Sequence, residues 1–241
     1  MPPKRRYEEI AAHFRRLIQD GDLAPGDYLP SLRNVCDEFN VAMGTANRAF
    51  QVLKAEGLTD ATSEGTVVAS RPSIVISGVD RLDRLNRTGR RYGPGEDSTG
   101  HRVMRRSVYD ADVCRALEIE PGDEVVIRIR TFRQDGRPTS VGVSVYPPRT
   151  TAEVPELAEE ERMEGYFGDI YTERTGREVT KGQRTAHARQ ASRDEIDALQ
   201  IDAPAHVAVA VLVTNVTFHD EEGPLAYWED TYAPGMKIPT A

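Results

Sequence analysis

The chain has 241 residues, of which 39% are hydrophobic and 29% charged, so its composition favours one large or two ordinary folded domains over disorder. The formal net charge of −8 argues against a protein that coats nucleic acid indiscriminately, whereas a site-specific DNA-binding protein depends on local charge. The longest apolar run, residues 207–213, is too short to span a bilayer, and no apolar stretch follows the basic N-terminus as in a signal peptide. We expect a cytoplasmic protein without a membrane partner.

Three stretches near the start show helical periodicity. Apolar residues recur on one face of residues 7–20, 32–39 and 41–53, and Ser31 stands where its hydroxyl can cap the second helix. Residues 59–70 are typical of a two-stranded hairpin with its tip near Gly65. Three helices followed by a hairpin predict a winged helix-turn-helix over residues 1–70.

The third helix carries polar side chains that a core does not require. Gly44, Thr45, Asn47, Arg48 and Gln51 lie away from its apolar face. Asn and Gln can bond adenine edges, and Arg can bond guanine or phosphate. An ordinary solvated face is the alternative, but the tight turn, the preceding helix and the following hairpin favour contact with DNA.

The composition changes between residues 71 and 106. Residues 81–106 hold eight arginines against three acids, together with four glycines. We interpret residues 71–106 as a basic linker with a short helix around residues 80–86, in which most arginines are solvated. The alternative is that some arginines approach a DNA backbone or a bound anion. We interpret His101 as an ordinary loop histidine; the alternative is that it reaches a ligand from the linker.

Strands dominate from residue 107 onward. The predicted elements are a short helix at 111–117, a hairpin at 123–147 turning at Asp135–Gly136, a helix at 166–174, a strand at 183–191, a capped helix at 192–199 and a long hairpin at 206–233. This pattern predicts an α+β domain with a mostly antiparallel sheet over residues 107–241.

Two arginines on the first predicted strand of this domain suggest a binding site. Arg128 and Arg130 are two residues apart and so point to one face, with Ile127 and Ile129 on the other. Two neighbouring guanidinium groups repel unless a negative group lies between them. A carboxylate or phosphate of a ligand would meet this need, because arginine binds either in a bidentate manner. Nearby surface acids are the alternative.

Several classes of site are not indicated by the sequence. The five histidines and two cysteines show no metal-ligand spacing, so we expect neither a metal nor another cofactor. No nucleophile or nucleotide-binding motif of the types GxSxG, GxxxxGK[ST] or GxGxxG is present. We therefore do not expect an enzyme.

The first 70 residues resemble the GntR family of bacterial transcription regulators, through "GDLAPGDYLPSLR", "GTANRAFQVLKAEGL" and "EGTVV". By position, the resemblance implies DNA contacts from the following residues: Ser31, Arg33, Thr45, Asn47, Arg48 and the wing-tip Gly65. Four positions depart from the family pattern: Leu32 replaces the usual Glu, Ala42 a capping Ser, and Met43 and Asn47 the usual Arg. We therefore expect an operator that differs from the family consensus.

Residues 112–236 resemble the UTRA effector domain of the HutC-like branch of that family, whose fold is similar to chorismate lyase. The matching segments include "GDEVVIRIRTFRQDGRPTSVGVSVYP" and "YFGDIYTERTGREVTKGQRTAHARQ". The resemblance implies an effector site that contains Arg128, Arg130, Ser144, Tyr166, Trp228, Asp230 and Tyr232.

Other positions of this site have changed. Relatives that bind sugar phosphates carry Glu at the positions of Gly142 and Ala226, and Ser and Tyr at the positions of Tyr166 and Gly168. Losing carboxylates and a hydroxyl removes partners for sugar hydroxyl groups, and Tyr166 and Trp228 add flat apolar surface. We expect an anionic effector that is more aromatic or apolar than an amino-sugar phosphate.

Together these features predict a homodimeric, effector-responsive transcriptional repressor that binds a double-stranded DNA operator. One alternative is a repressor whose second domain only dimerises. The other is a chorismate-lyase-like enzyme domain tethered to DNA.

Overall fold

The computed structural model describes residues 6–69, 76–163, 165–204 and 206–238. Within these residues the chain forms two compact units. The first comprises the described residues up to Pro94 together with 235–238, and the second runs from Gly95 to Pro234.

The first unit opens with the predicted winged helix-turn-helix. Its elements are α1 (Arg6–Asp20), α2 (Leu32–Phe39), α3 (Met43–Ala55), β1 (Thr59–Ala61) and β2 (Thr66–Val68). The apolar faces of the three helices meet in one core, where Phe14 packs edge-to-face on Phe50 with ring centroids 5.6 Å apart. The Ser31 hydroxyl accepts a hydrogen bond from the Asn34 N–H, as the predicted cap requires.

The segment predicted to be a linker contains the expected helix and also a strand that was not predicted. Helix α4 spans Gly78–Thr88, and a 12-residue strand, β3, spans Glu96–Ser107. The predicted boundary between residues 106 and 107 therefore falls inside β3, and the second unit begins at Gly95. β3 escaped prediction because its sequence, EDSTGHRVMRRS, is polar and interrupted by a glycine, as suits an exposed edge strand. Residues 70–75 lie outside the described part of the chain.

The arginines of α4 pack against the protein, whereas the linker interpretation expected most of them to be solvated. Arg81 and Arg84 are 3% exposed, and Arg87 donates two hydrogen bonds, 2.7 and 2.9 Å long, to the carboxylate of Asp20 in α1. Asp20 is itself buried, so its charge requires a partner. This ion pair ties α4 to the end of α1 and makes α4 part of the first unit.

The second unit is built on a seven-stranded antiparallel sheet. After β3 the strands are β4 (Glu124–Gln134), β5 (Arg137–Tyr146), β6 (Thr180–Lys181), β7 (Thr185–Gln190), β8 (Ala210–Asp220) and β9 (Gly223–Tyr232). Their order across the sheet is β3-β4-β5-β9-β8, with β6 and β7 both pairing along the outer side of β8. The predicted turn at Asp135–Gly136 joins β4 to β5, and both residues have the positive φ that this tight hairpin needs.

Helices lie on both faces of this sheet. They are α5 (Ala111–Leu117), α6 (Pro148–Glu153), α7 (Phe167–Thr175) and α8 (Arg193–Ala198), with a 3-10 turn at Pro155–Ala158 after α6. α5 packs its Val113 and Leu117 on Val125, Val145 and Tyr227 of one face. The fold is therefore α+β, as the sequence predicted.

A buried ionic network stands on the same face as α5. Arg189 of β7 donates hydrogen bonds of 2.7 and 2.8 Å to Glu195 of α8 and one of 2.8 Å to Glu229 of β9. Glu195 also accepts from the Ser192 N–H and the Thr231 hydroxyl, both at 2.7 Å. Burial opposes the charge of Glu195, but these hydrogen bonds outweigh burial and lower its pKa to about 2. The network joins an edge strand, a short helix and a central strand.

Candidate DNA-binding and effector-binding sites

Helix α3 has the two-sided character that a recognition helix needs. Its buried residues are Ala46, Ala49, Phe50 and Leu53. The exposed side carries Met43, Gly44, Asn47, Arg48 and Gln51, while Thr45 is half-buried. The space around Gly44 is open, with no atom within 4 Å of where a Cβ would stand. A surface of this kind can approach the base edges of a major groove.

Arg48 does not project freely from α3. Its guanidinium carbon lies 4.3 Å from the ring centroid of Tyr7 in α1, a cation–π contact. This contact orients the side chain before any DNA is bound. Asn47 lies beside it with an exposed amide group.

The starts of α2 and α3 differ in their capping. Ser31 caps α2, and Arg33 is exposed in the first turn of that helix. At α3 the capping position is Ala42, which provides no side-chain hydrogen bond. The first N–H groups of α3 therefore have no side-chain acceptor, a condition that favours a phosphate oxygen.

The wing is a short, stiff hairpin. Gly65 stands at its tip with φ +150°, a conformation that side-chain-bearing residues rarely adopt, and the Thr62 hydroxyl donates to the Gly65 carbonyl at 3.0 Å. Tyr28 forms an isolated bridge with Val67, and its hydroxyl donates to Glu64 at 2.8 Å. The residues proposed for DNA contact thus lie on α2, α3 and the wing tip.

The sheet register brings the proposed effector residues onto one face. Arg128 is paired with Ser144, which is paired with Trp228. The next row places Gly142 between Arg130 and Asp230. The third row consists of Phe132, Ser140 and Tyr232. Directly paired residues of an antiparallel sheet share a face, so the predicted alternation was correct.

Arg128 is committed to the backbone of the protein. Its guanidinium donates hydrogen bonds to four carbonyl groups of the segment that crosses this face, at residues 156, 157, 159 and 161, over distances of 2.8–3.3 Å. Burial lowers the pKa of Arg128, and the like charge of Arg130 lowers it further, although Tyr146 acts in the opposite direction. Arg128 therefore holds the segment after α6 in place.

Two residues that sequence reasoning did not select lie close to Arg130. Partial burial, together with the charges of Arg130 and Arg162, lowers the pKa of His101. Burial raises the pKa of the Tyr146 phenol, with Arg130 acting against this effect. Tyr146 follows Ser144 by two residues, so alternation along β5 could have identified it. His101 lies at an irregularity in β3, where the register shifts between Thr99 and Arg102, and no periodicity pointed to it.

Aromatic rings line the adjoining part of this face. Tyr166, Phe167 and Phe218 all pack within 6.1 Å of the Trp228 ring, centroid to centroid. The Trp228 indole N–H donates to the Tyr146 hydroxyl at 3.2 Å. The Tyr166 ring also lies against Gly168, in the space that a side chain there would occupy. The Tyr166 ring therefore fills the volume that a tyrosine at position 168 would occupy in a relative with Ser at position 166.

The remaining predicted residues occupy the middle of the sheet. Asp230 is 5% exposed, and Tyr232 is 1% exposed with its hydroxyl 3.1 Å from that of Thr214. Gly142 has no room for a side chain, because a Cβ there would lie 2.8 Å from the Phe132 ring and 3.4 Å from the Asp230 carboxylate. The ring of Phe132 also lies 5.0 Å from the Arg130 guanidinium carbon.

Comparison with known proteins agrees with both halves of this description. The UTRA domain family matches residues 98–238, and the gntR family of bacterial regulatory proteins matches residues 6–68. The chain is a GntR-family transcriptional regulator with a UTRA domain. It is therefore a DNA-binding protein with a domain that binds a small-molecule effector, and it is not an enzyme.

Relatives of this GntR-family regulator are themselves regulators. An HTH-type transcriptional regulator of Rhizobium meliloti is 26% identical over 94% of this chain and 90% of its own length. One of Streptomyces coelicolor is 28% identical over 61% of this chain, which spans only 60% of that relative's length. Among solved structures, PhnF from Mycobacterium smegmatis is 20% identical with a TM-score of 0.50, over 95% of this chain and 97% of that one. The structural likeness supports the fold.

Among the described residues, no three His, Cys, Asp or Glu side chains converge where a metal ion could bind. No helix in the described ranges combines the length and the apolar character needed to cross a bilayer.

Proposed function

We propose that this regulator is a homodimeric repressor that leaves its operator when a small anionic molecule binds the Arg130 face of the second unit. The observation that carries the proposal is the convergence of Arg128, Arg130 and His101 beside a wall of aromatic rings. Two guanidinium groups and an imidazole next to apolar surface suit a ligand with an acidic group on an apolar or aromatic body.

The two arginines have different roles in this proposal. Arg128 is a positioning residue, because its donors are directed to the backbone carbonyls of residues 156–161. Arg130 contacts the acidic group of the effector. Tyr146 keeps its proton at neutral pH, because burial raises its pKa, and its hydroxyl can donate a hydrogen bond to the same anion.

The effector acts by shifting an equilibrium between arrangements of the protein with different affinities for DNA. A ligand shifts such an equilibrium only by binding its two states unequally. The segment that Arg128 fastens across the site is suited to this role, since it lies over the face where the anion would bind. A change in that segment is the proposed first response to the effector.

A dimer is proposed because one winged helix alone is a weak basis for specificity. Residues 1–72 carry nine Lys or Arg against ten Asp or Glu, so they lack a strong positive charge. Two copies related by a two-fold axis would read two half-sites of a pseudo-palindromic operator. Because its proposed operator is found in the cytoplasm, we also propose that the regulator acts there.

The proposal is tested by substituting the two arginines separately. The purified protein is screened by thermal shift against a panel of aromatic and aliphatic carboxylates and phosphates. For any compound that stabilises the protein, Arg130→Ala should weaken binding about ten- to a hundredfold, since a charge-assisted hydrogen bond is lost. Its binding to DNA in the absence of the compound should not change, so it behaves as a super-repressor.

Two control substitutions distinguish the loss of the charge that binds the effector from the loss of the contacts that position the segment. Arg133→Ala removes a guanidinium from the same strand that donates to the Gly136 carbonyl, and it should leave effector binding intact. Arg128→Lys should weaken binding and also lower thermal stability without ligand, because an ammonium cannot satisfy four carbonyl groups in that geometry. If no anion in the panel stabilises the protein and none co-purifies with it, the proposed anionic effector and the induction by it are wrong.

A further inference from the structure

Met43 is the first residue of α3, and its side chain is 52% exposed. Among the described residues, few large apolar side chains are this exposed; the others are Tyr28, Tyr109 and Val207. Burying Met43 would be favourable, and the core of α3 does not use it. The Met43 side chain is therefore available for a contact outside the folded chain.

The position of Met43 on the helix connects it with the polar side of α3. Met43, Asn47 and Gln51 are spaced four residues apart, so they form one stripe along the helix, and all three are exposed. In helix-turn-helix proteins the N-terminal residues of the recognition helix reach the base edges. Met43 therefore heads the stripe that faces the major groove.

Its chemistry then restricts which base it can select. A methionine has no hydrogen-bond donor and only a weak sulfur acceptor, so it cannot make the bidentate contact with guanine that an arginine makes. In the major groove, the feature that an apolar side chain recognises is the C5-methyl group of thymine. The flexible, polarisable thioether side chain can fit against such a methyl group.

Two neighbouring features allow this close approach. Gly44 leaves open space beside Met43, and Ala42 offers no side-chain acceptor to the first N–H groups of the helix. These N–H groups can donate hydrogen bonds to a phosphate oxygen, which would hold the first turn of α3 in the groove. Phosphate contact would position the helix end, and Met43 would supply selectivity.

We propose that Met43 reads the methyl group of one thymine in each operator half-site, which makes it a specificity-determining residue of this regulator. The contact excludes cytosine, which lacks the methyl group, at that base pair. It also makes the operator differ at that position from one read by an arginine.

The first test selects preferred sites from random-sequence DNA duplexes with the full-length protein and with Met43→Arg. The wild-type site should contain a thymine in each half-site at a position where the Met43→Arg protein selects guanine. Because Met43 is exposed, neither Arg nor Ala at this position should disturb the fold. Identical selected sites for the two proteins would overturn the proposal.

The second test removes only the methyl group. Each thymine of the selected site is replaced in turn by deoxyuridine, and binding is titrated by fluorescence anisotropy. One replacement per half-site should weaken wild-type binding roughly three- to tenfold, the effect expected for losing one buried methyl contact. The same replacement should have no effect on Met43→Ala, whereas Gln51→Ala, changed two turns along the same stripe, should keep the penalty.

The comparison with Gln51→Ala distinguishes a direct contact from a general loss of affinity. A deoxyuridine penalty that persists unchanged in Met43→Ala would assign the methyl contact to another residue. The absence of any sensitive thymine in the wild-type site would likewise overturn the proposal.

Discussion

Arg48 is the polar residue of α3 whose orientation the structure defines best. Its guanidinium rests 4.3 Å from the Tyr7 ring, so less side-chain entropy is lost when it meets DNA. We expect Arg48→Ala to weaken binding to the selected operator by about 1–3 kcal/mol if the contact is with guanine. Fluorescence anisotropy at fixed salt measures the change.

The salt dependence of the same variant identifies the kind of contact. If Arg48 binds phosphate, the variant loses affinity equally for all sequences and the slope of log K against log salt falls by about one. Arg16→Ala, which removes an exposed arginine from α1, is the matched control and should retain wild-type affinity. An unchanged operator affinity for Arg48→Ala would remove this residue from the contact surface.

For single residues, the sequence predicted the direction of a side chain better than its hydrogen-bond partners. Alternation along β4 correctly placed Arg128 and Arg130 on one face, and the register then adds Trp228, Asp230 and Tyr232 to the same face. It could not predict that Arg128 bonds the carbonyls of residues 156–161, because that contact joins a strand to a segment about 30 residues away whose path depends on packing. His101 was not selected for a similar reason. It lies at an irregularity of β3, and no periodic pattern in the sequence marks such an irregularity.

Among the elements, the pairing of β7, α8 and β9 depends on Glu195. Its pKa of about 2 lies below the ordinary value of 4.5, so its ion pair stabilises the folded state fully above pH 4.5, and this stabilisation is lost as the pH falls toward 2. We expect Glu195→Gln to lower the free energy of unfolding by about 1–3 kcal/mol at pH 7. The difference from wild type should shrink below pH 4.5.

Thermal unfolding between pH 7 and pH 3 measures this difference. Asp194→Asn is the control, because Asp194 is exposed in the same first turn of α8. It should change the melting temperature little at any pH. A Glu195→Gln deficit that remains constant down to pH 3 would show that the carboxylate charge is not the stabilising feature.

The elements were predicted from sequence where local signals were strong. The cap of α8, the Asp135–Gly136 turn and the amphipathic helices of the first unit are local and were predicted correctly. The strand β3 was not, because an edge strand with polar residues on both faces lacks the alternation by which strands are recognised. The role of α4 was also missed, since the pairing of Arg87 with Asp20 spans 67 residues.

At the scale of the whole molecule, the pairing of α4 with α1 defines the DNA-binding fragment. A fragment of residues 1–94 keeps the Arg87–Asp20 ion pair, whereas a fragment of residues 1–72 does not. We expect the longer fragment to be more stable by roughly 1–3 kcal/mol in urea titrations, because hydrogen bonds to a buried carboxylate are kept. Equal midpoints and equal slopes for the two fragments would contradict this role of α4.

The oligomeric state is the second prediction at this scale. Among the described strands, β7 pairs with β8 alone, and its residues 185–188 are exposed and include no Asp, Glu, Lys or Arg. The opposite edge, β3, is protected by charges and an irregularity. We therefore expect a dimer in which β7 lies antiparallel to the same strand of a second copy. Light scattering should give a dimer for the full chain and a monomer for residues 1–94.

A proline tests this edge directly. The Ala191 N–H donates to the Val209 carbonyl, and antiparallel ladders alternate, so the amide of Ala188 points outward. Ala188→Pro removes that outward donor without removing a bond to β8. The variant should be monomeric at micromolar concentration, should bind its operator more weakly and should keep its circular dichroism spectrum. A stable dimer in this variant would place the interface elsewhere.

The contact between Gly142 and Phe132 constrains how the effector pocket could change in evolution. Any side chain at position 142 would place its Cβ 2.8 Å from a ring that is 1% exposed, so the buried ring would have to shift. A glutamate at this position, as in relatives that bind sugar phosphates, would thus be harmful until Phe132 had first become smaller. Shrinking Phe132 alone leaves a cavity costing roughly 3–5 kcal/mol. Because each single substitution destabilises the fold, a change from glycine to glutamate at position 142 requires a paired change at position 132.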